Sequence, residues 1–196
     1  MEPALPPGRD NLAEEQLIKA WQAGDLGAFE VVFARHQGMI YNLAFRILGN
    51  LDDAQDIKQE TFLRAHRAIR TFRGDCQLST WLCRIATNLC LSLRRRAEEH
   101  TVSLEERFEE AAIQPDLEAL MDQRTLQANV QRALDQLPEH HRLLLVLRDF
   151  EGLSYEEIAI IMGCSVAGVN TRLHRARLAF KRIAQPLLQT EEIYTP

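Results

Sequence analysis

Between Ile158 and Thr190 the chain carries no acidic residue, while Arg172, Arg175, Arg177, Lys181 and Arg182 are basic. Asn170, Thr171 and His174 stand among them with groups that donate and accept hydrogen bonds. Cations grip phosphates, and amide, hydroxyl and imidazole groups read base edges, so the chemistry on offer is DNA recognition. Val169, Leu173, Ala176 and Phe180 recur at i, i+4, i+7 and i+11, which at about 100° per residue makes one apolar stripe. Thr171, His174 and Arg175 then point away from the stripe, with Arg172 and Arg177 on its flanks. A solvated amphipathic helix with incidental basic residues would show the same layout. The segment in front favours DNA. Ser154 with Glu157 makes a capping box, Ile158, Ala159, Ile161 and Met162 supply an apolar face, and Gly163 can close that helix in a left-handed conformation. Ser165 then caps the second helix. Two helices about a glycine turn, the second with a face of one sign, form a helix-turn-helix pattern.

A second stretch lacks acidic residues, from Cys76 to Ala97. A polar loop at Thr71–Gln77 leads into a helix from about Ser79 to Arg96 that holds Trp81 near its start and Arg94, Arg95 and Arg96 at its end. Aromatics on which bases stack, beside cations that follow a backbone, suit single-stranded nucleic acid. A lone Trp more often serves the core, and that reading stays open for Trp81. No pairing of carboxylate with His, no phosphate loop and no metal-ligand spacing is found, so we expect no enzyme, no cofactor and no metal. Cys76, Cys83, Cys90 and Cys164 form no Cys-x-x-Cys pair and are expected as buried free thiols.

The elements that must position these residues read as helices throughout. One runs from about Leu12 to Ala23 and stops at Gly24. Asp25 caps the next, which carries Phe29, Val32, Phe33, Ile40, Leu43, Ala44 and Ile47 and closes at Gly49-Asn50. A third opens on Asp52 and Asp53, acidic residues that suit the positive end of a helix dipole. Its inner face is Ile57, Thr61, Ala65 and Ile69; its outer face is Asp53, Asp56, Gln59 and Glu60. After the helix that ends near Arg96, nine acidic residues fall between Ala97 and Gln123. A helix from about Leu126 to Gln136, Leu137-Pro138, and a helix with Leu143, Leu144, Val146, Leu147 and Phe150 lead to the helix-turn-helix.

The expected fold is therefore all-α, with two small helical domains joined by an acidic linker. Residues 1–11 form a Pro-rich tail, 12–96 the first domain, 97–123 the linker, 124–185 the domain with the helix-turn-helix and 186–196 a second tail. A chain of 196 residues that is 46% hydrophobic and 26% charged can fill two such cores. No run approaches the roughly 20 apolar residues of a membrane span, and the N-terminus lacks a basic apolar leader. Membrane insertion is not expected, and the expected location is cytoplasmic. The net charge of −5 is low for a protein that finds DNA by itself. DNA binding is thus expected to need a larger partner.

Three segments in this order resemble the sigma-70 family of bacterial transcription initiation factors, in its extracytoplasmic-function (ECF) group. They are Asp53-Ala54-Gln55-Asp56-Ile57-Lys58-Gln59-Glu60-Thr61-Phe62, then Thr80-Trp81-Leu82-Cys83-Arg84-Ile85-Ala86-Thr87-Asn88, then Leu137-Pro138 with Tyr155-Glu156-Glu157-Ile158-Ala159. The likeness covers about Asp25 to Arg96 and Leu126 to Ile183.

The resemblance implies a core-polymerase-binding face at Asp53, Asp56, Gln59 and Glu60, docking on the clamp helices of the largest subunit of RNA polymerase. It implies reading of the minus-10 element of promoter DNA by Phe72, Arg73, Asp75, Gln77, Ser79, Thr80, Trp81, Arg84 and Asn88, with a base flipped from the stack. The minus-35 element would meet Asn170, Thr171, Arg172, His174, Arg175 and Arg177. The linker would thread the nucleic-acid channels of the polymerase. An anti-sigma factor is implied as a further partner, one that can hold the protein at the inner membrane face. The chain departs from the family at Ala167-Gly168, where Gly-Thr is common, at Asn170, where a cation is common, at Thr171, where Ser is common, and at Thr80, which precedes Trp81 where a second aromatic would stand. The competing reading is a stand-alone regulator that binds an operator as a dimer.

Overall fold

The computed structural model describes residues 13–101 and 118–189, with side chains for 13–97 and 125–188. Among the described residues the chain is helical and holds no strand, as expected. The helices are α1 (Glu14–Gln22), α2 (Leu26–Leu48), α3 (Leu51–Ala68), α4 (Leu78–Thr101), α5 (Glu118–Asp135), α6 (Glu139–Leu145), α7 (Tyr155–Met162) and α8 (Val166–Gln189). A 3₁₀ turn, Ile69–Thr71, follows α3, and a π-helical turn, Val146–Phe150, follows α6. The tail at 1–11 and the middle of the acidic linker, 102–117, lie outside the described residues. The flanks of the linker do not: α4 continues to Thr101 and α5 starts at Glu118. Likewise α8 runs through Pro186 to Gln189, past the expected end at 185.

Two compact units result. Residues up to Phe45 together with Asn50–Cys90 make the first, and Arg46–Gly49 with the residues from Leu91 onward make the second. In the first unit α1 buries Leu17 and Trp21, α2 buries Val31, Ile40 and Leu43, and α4 buries Leu78, Leu82 and Ala86. The inner face of α3 is the expected one, Ile57, Thr61, Ala65, with Ile69 just beyond, all buried. The hydroxyl of Thr61 donates to the Ile57 carbonyl at 2.7 Å, which satisfies it inside the core. Trp21 packs on Phe29 with centroids 5.3 Å apart, and Phe62 meets Phe29 and Phe33 edge to face, with Phe33 and Phe62 centroids 4.7 Å apart. Burial of such rings is the main source of stability in a small helical unit.

The helix starts follow the sequence closely. Asp25 Oδ1 accepts from the Gly27 and Ala28 amides at 2.9 and 3.3 Å. Asn50 caps α3 by accepting from Asp52 and Asp53. Each cap satisfies amides that the helix itself leaves unpaired.

The second unit packs α5, α6, α7 and α8 about Leu134, Leu143, Leu144, Leu147, Ile158, Val169, Leu173 and Ala176. Of the expected α8 stripe, Phe180 is only half-buried. Within this unit Arg142 is buried, 3% exposed. Its guanidinium donates to the carbonyls of Asp135 at 2.6 Å, Ile47 at 2.8 Å and Leu137 at 3.4 Å. A buried cation is costly unless it is hydrogen-bonded in this way. The thiols differ from expectation in part: Cys83 and Cys90 are buried, whereas Cys76 and Cys164 are half-exposed, because both sit beside turns.

Candidate nucleic-acid interface

The helix-turn-helix is built as its residues dictate. Ser154 Oγ accepts from the Glu157 amide at 3.2 Å, and the Glu157 carboxylate accepts from the Ser154 amide at 2.8 Å, so the capping box is complete. Gly163 closes α7 at φ +61°, a left-handed conformation that side chains resist. Ser165 Oγ accepts from the Gly168 amide at 3.2 Å and opens α8. Ile158 and Ile161 face the core. Asn170, Thr171, Arg172, His174, Arg175 and Arg177 are all exposed on α8, so the structure brings the minus-35 set onto one helix surface. The Thr171 hydroxyl donates to the Ala167 carbonyl at 3.1 Å, which sets its orientation.

Two residues that the sequence did not single out support this surface. Asp149, in the π-helical turn, accepts from Arg177 Nε at 3.1 Å and from its Nη2. That hydrogen bond is the main cause of a raised Arg177 pKa. Arg148 donates to the Leu153 carbonyl at 2.7 Å and lies 5.1 Å from the Tyr155 ring centroid, bracing the turn into α7. Helical spacing alone hides both, since each acts across a turn. Behind Arg175, burial first, then His140 and Arg175, push the His141 imidazole below its ordinary value. Its Nδ1 is buried with no hydrogen-bond partner among the described residues.

In the first unit the minus-10 set divides by burial. Phe72 and Trp81 pack on each other with centroids 5.1 Å apart, and Trp81 is 7% exposed. Thr80 is fully buried. These three shape the loop from inside, and none offers a face for a base in this conformation, because their apolar area goes into the core. Arg73, Asp75 and Gln77 are exposed on the loop, Ser79 is half-exposed, and Arg84 and Asn88 are exposed one turn apart on α4. Gly74, at φ +77°, lets the loop reverse between Arg73 and Asp75.

On α3, Asp56 and Gln59 are exposed and Asp53 and Glu60 half-exposed, on one side of the helix. The Glu60 carboxylate accepts from Arg64 at 2.7 Å, one turn on. Burial first, then Asp56 and Asp52, raise the Asp53 pKa. The face thus repels itself and is suited to a cationic partner. Leu63, 52% exposed, adds an apolar side chain one turn beyond Gln59. The signal for it was an apolar residue on an otherwise polar face.

Comparison with known proteins finds one family across both units. The model for sigma-70 region 2 matches residues 32–99, and that for sigma-70 region 4 matches residues 127–180. The RNA polymerase sigma-H factor of Pseudomonas aeruginosa is 40% identical over 185 residues, which is 90% of this chain and 96% of that one. The ECF RNA polymerase sigma-E factor of Escherichia coli K12 is 37% identical over 189 residues, 92% of this chain and 98% of that one. Among solved structures, CnrH in complex with the cytosolic domain of CnrY is similar with a TM-score of 0.69 and 26% identity, over 88% of this chain and 97% of that one. RpoE in complex with the anti-sigma factor NepR, from Bartonella quintana, is similar with a TM-score of 0.67 and 26% identity, over 80% and 96%.

Proposed function

Because this chain belongs to the sigma-70 family, it binds core RNA polymerase and directs it to promoters, and we propose that it divides this work among three surfaces. The α3 face with Asp53, Asp56, Gln59 and Glu60 docks on the clamp helices of the largest polymerase subunit. Arg73, Asp75, Gln77, Ser79, Arg84 and Asn88 meet the minus-10 element, with Phe72, Thr80 and Trp81 holding the loop in shape. The exposed face of α8, from Asn170 to Arg177, reads the minus-35 element in the major groove. The observation that carries this division is the charge of each surface: cationic on α8 and along α4 as far as Arg96, mainly acidic on the outer side of α3.

The domains follow the same division, a region 2 domain over 12–96 and a region 4 domain over 124–185, with the acidic stretch 97–123 between them entering the cationic channels of the polymerase. The low net charge supports dependence on the polymerase, since a subunit of charge −5 gains little phosphate attraction of its own. Chemistry stays with the polymerase; this chain's part is binding. The protein works in the cytoplasm, and an anti-sigma factor holds it there, at the inner membrane face when that inhibitor is membrane-linked. Two of the similar structures are complexes with CnrY and with NepR, which supports such an inhibitor. Among the described residues no helix is long and apolar enough to cross a membrane.

A gel-shift assay on promoter DNA with and without core polymerase tests the assignment. Specific open complexes are expected only with core. Tight, specific binding by the chain alone would favour the operator-binding regulator instead.

A further inference from the structure

The loop proposed to read the minus-10 element is fastened by a residue some fifty positions earlier in the chain. Gln22, the last residue of α1, donates from its side-chain amide to the Phe72 carbonyl at 2.8 Å and to the Ile69 carbonyl at 3.1 Å. The Phe72 carbonyl lies just past the 3₁₀ turn, where helical hydrogen bonding runs out, and the Ile69 carbonyl, at the start of that turn, also accepts from the Phe72 amide at 3.1 Å. An amide nitrogen has two hydrogens, and two acceptors here take both. Its neighbour Trp21 is buried and donates from Nε1 to His66 Nδ1 at 3.0 Å, which ties the same turn of α1 to the end of α3. Phe72 is therefore held twice, at its carbonyl by Gln22 and at its ring by Trp81. Arg73, the first exposed side chain of the loop, follows directly.

The geometry points to Gln22 as a positioning residue for minus-10 recognition: through the Phe72 and Ile69 carbonyls it fixes the stretch from which Arg73, Asp75 and Gln77 project. This rests on reading that loop as the minus-10 reader. Helix α1 lies ahead of the residues matched by the region 2 model, 32–99, and its sequence pattern is that of a plain core helix. Its polar contribution is legible only in three dimensions. A recognition loop held within a fraction of an ångström discriminates bases better than one that samples several arrangements.

The test uses holoenzyme reconstituted with Gln22→Met, which keeps length and helix propensity but has no donor, and with Gln22→Lys, which restores a donor of similar reach. The readout is the ratio of affinities for a single-stranded non-template minus-10 oligonucleotide and for the same strand with one base changed. Binding to a minus-35 duplex is measured beside it. The ratio should fall about tenfold in Gln22→Met, as expected for two modest hydrogen bonds, and recover in Gln22→Lys, with minus-35 binding constant in both. An unchanged ratio in Gln22→Met, or an equal loss on both DNAs, overturns the positioning role. Should Gln22→Met fail to fold, a reduced ratio in a folded Gln22→Lys overturns it. Arg73→Ala and Gln77→Ala in the same assay separate the two ideas. A loss there with none in Gln22→Met removes the role of Gln22 alone; no loss in any of the three removes the loop reading beneath it.

Discussion

Arg177 and Asp149 face each other across α8 and the π-helical turn, with Arg177 Nε 3.1 Å from Asp149 Oδ2 and Nη2 donating to Oδ1. A two-pronged pair of this kind fixes the guanidinium plane. It ties the recognition helix to the turn that precedes the helix-turn-helix. It also subtracts one cation from the surface offered to DNA. Asp149→Ala should therefore leave holoenzyme binding DNA more tightly but with less regard for sequence. The slope of log affinity against log salt should steepen by about one, since one more phosphate contact is made and its counterion released. Stability should fall by about 0.2–1 kcal/mol, the usual worth of an exposed pair. A salt titration on specific and random duplexes checks both; an unchanged slope would mean that Arg177 is a strut and meets no phosphate.

Arg175 lies one helical step from His174 on the open face of α8. Arg175→Ala should weaken holoenzyme binding to promoters with an intact minus-35 element by about 1–3 kcal/mol, the worth of a specific base contact. Promoters with a scrambled minus-35 element should lose much less. If both lose equally, the residue contacts phosphate only.

The helix-turn-helix was legible in the sequence down to single hydrogen bonds. Ser154, Glu157, Gly163 and Ser165 act through neighbours within a few positions, and local spacing records such contacts. The inner face of α3 was legible for the same reason. Burial of Thr80 was not, and that of Trp81 stayed one of two open readings, because a helix beginning with polar and aromatic residues reads alike whether its first turn faces the core or a nucleic acid. Nor were Gln22 and Asp149 visible. Their partners are 47 to 50 and 28 positions away, and polar residues at such separations leave no periodic trace. The extents of α4 and α5 were missed because acidic composition was read as linker, although Glu is a good helix former.

Asp56 is exposed on the acidic side of α3, next to an Asp53 whose pKa is raised by burial and then by Asp56 and Asp52. Removing the Asp56 charge relieves repulsion within the free chain, so folding should not suffer. Asp56→Lys should weaken association with core polymerase at least tenfold while the thermal midpoint stays the same or rises. Co-migration with core on a sizing column, together with thermal melting, checks this. A variant that melts early would make Asp56 a structural residue.

His141 makes the second unit sensitive to acid. Its imidazole is held below the ordinary value of 6.5 by burial first, then by His140 and Arg175, and its buried Nδ1 has no partner to stabilise an added proton. As pH falls, the unfolded chain takes up this proton before the folded one does. Well above 6.5 both states are neutral at this site and stability is unaffected; as pH falls through 6.5 toward the lower folded value, stability is lost. His36, in the first unit, is lowered too, by burial first and against the pull of Glu14, and adds a slope of the same sign, while Asp53 and Glu151, both raised by burial first, act in the opposite sense. The difference between wild type and His141→Gln isolates the one site. The thermal midpoint of His141→Gln should fall less than that of the wild type between about pH 7.5 and pH 5.5, because glutamine has no proton to gain there. Coincident slopes would show that the loss comes from other groups. A steeper slope in His141→Gln would mean that the folded state binds this proton more tightly than the unfolded chain, which would overturn the lowered value.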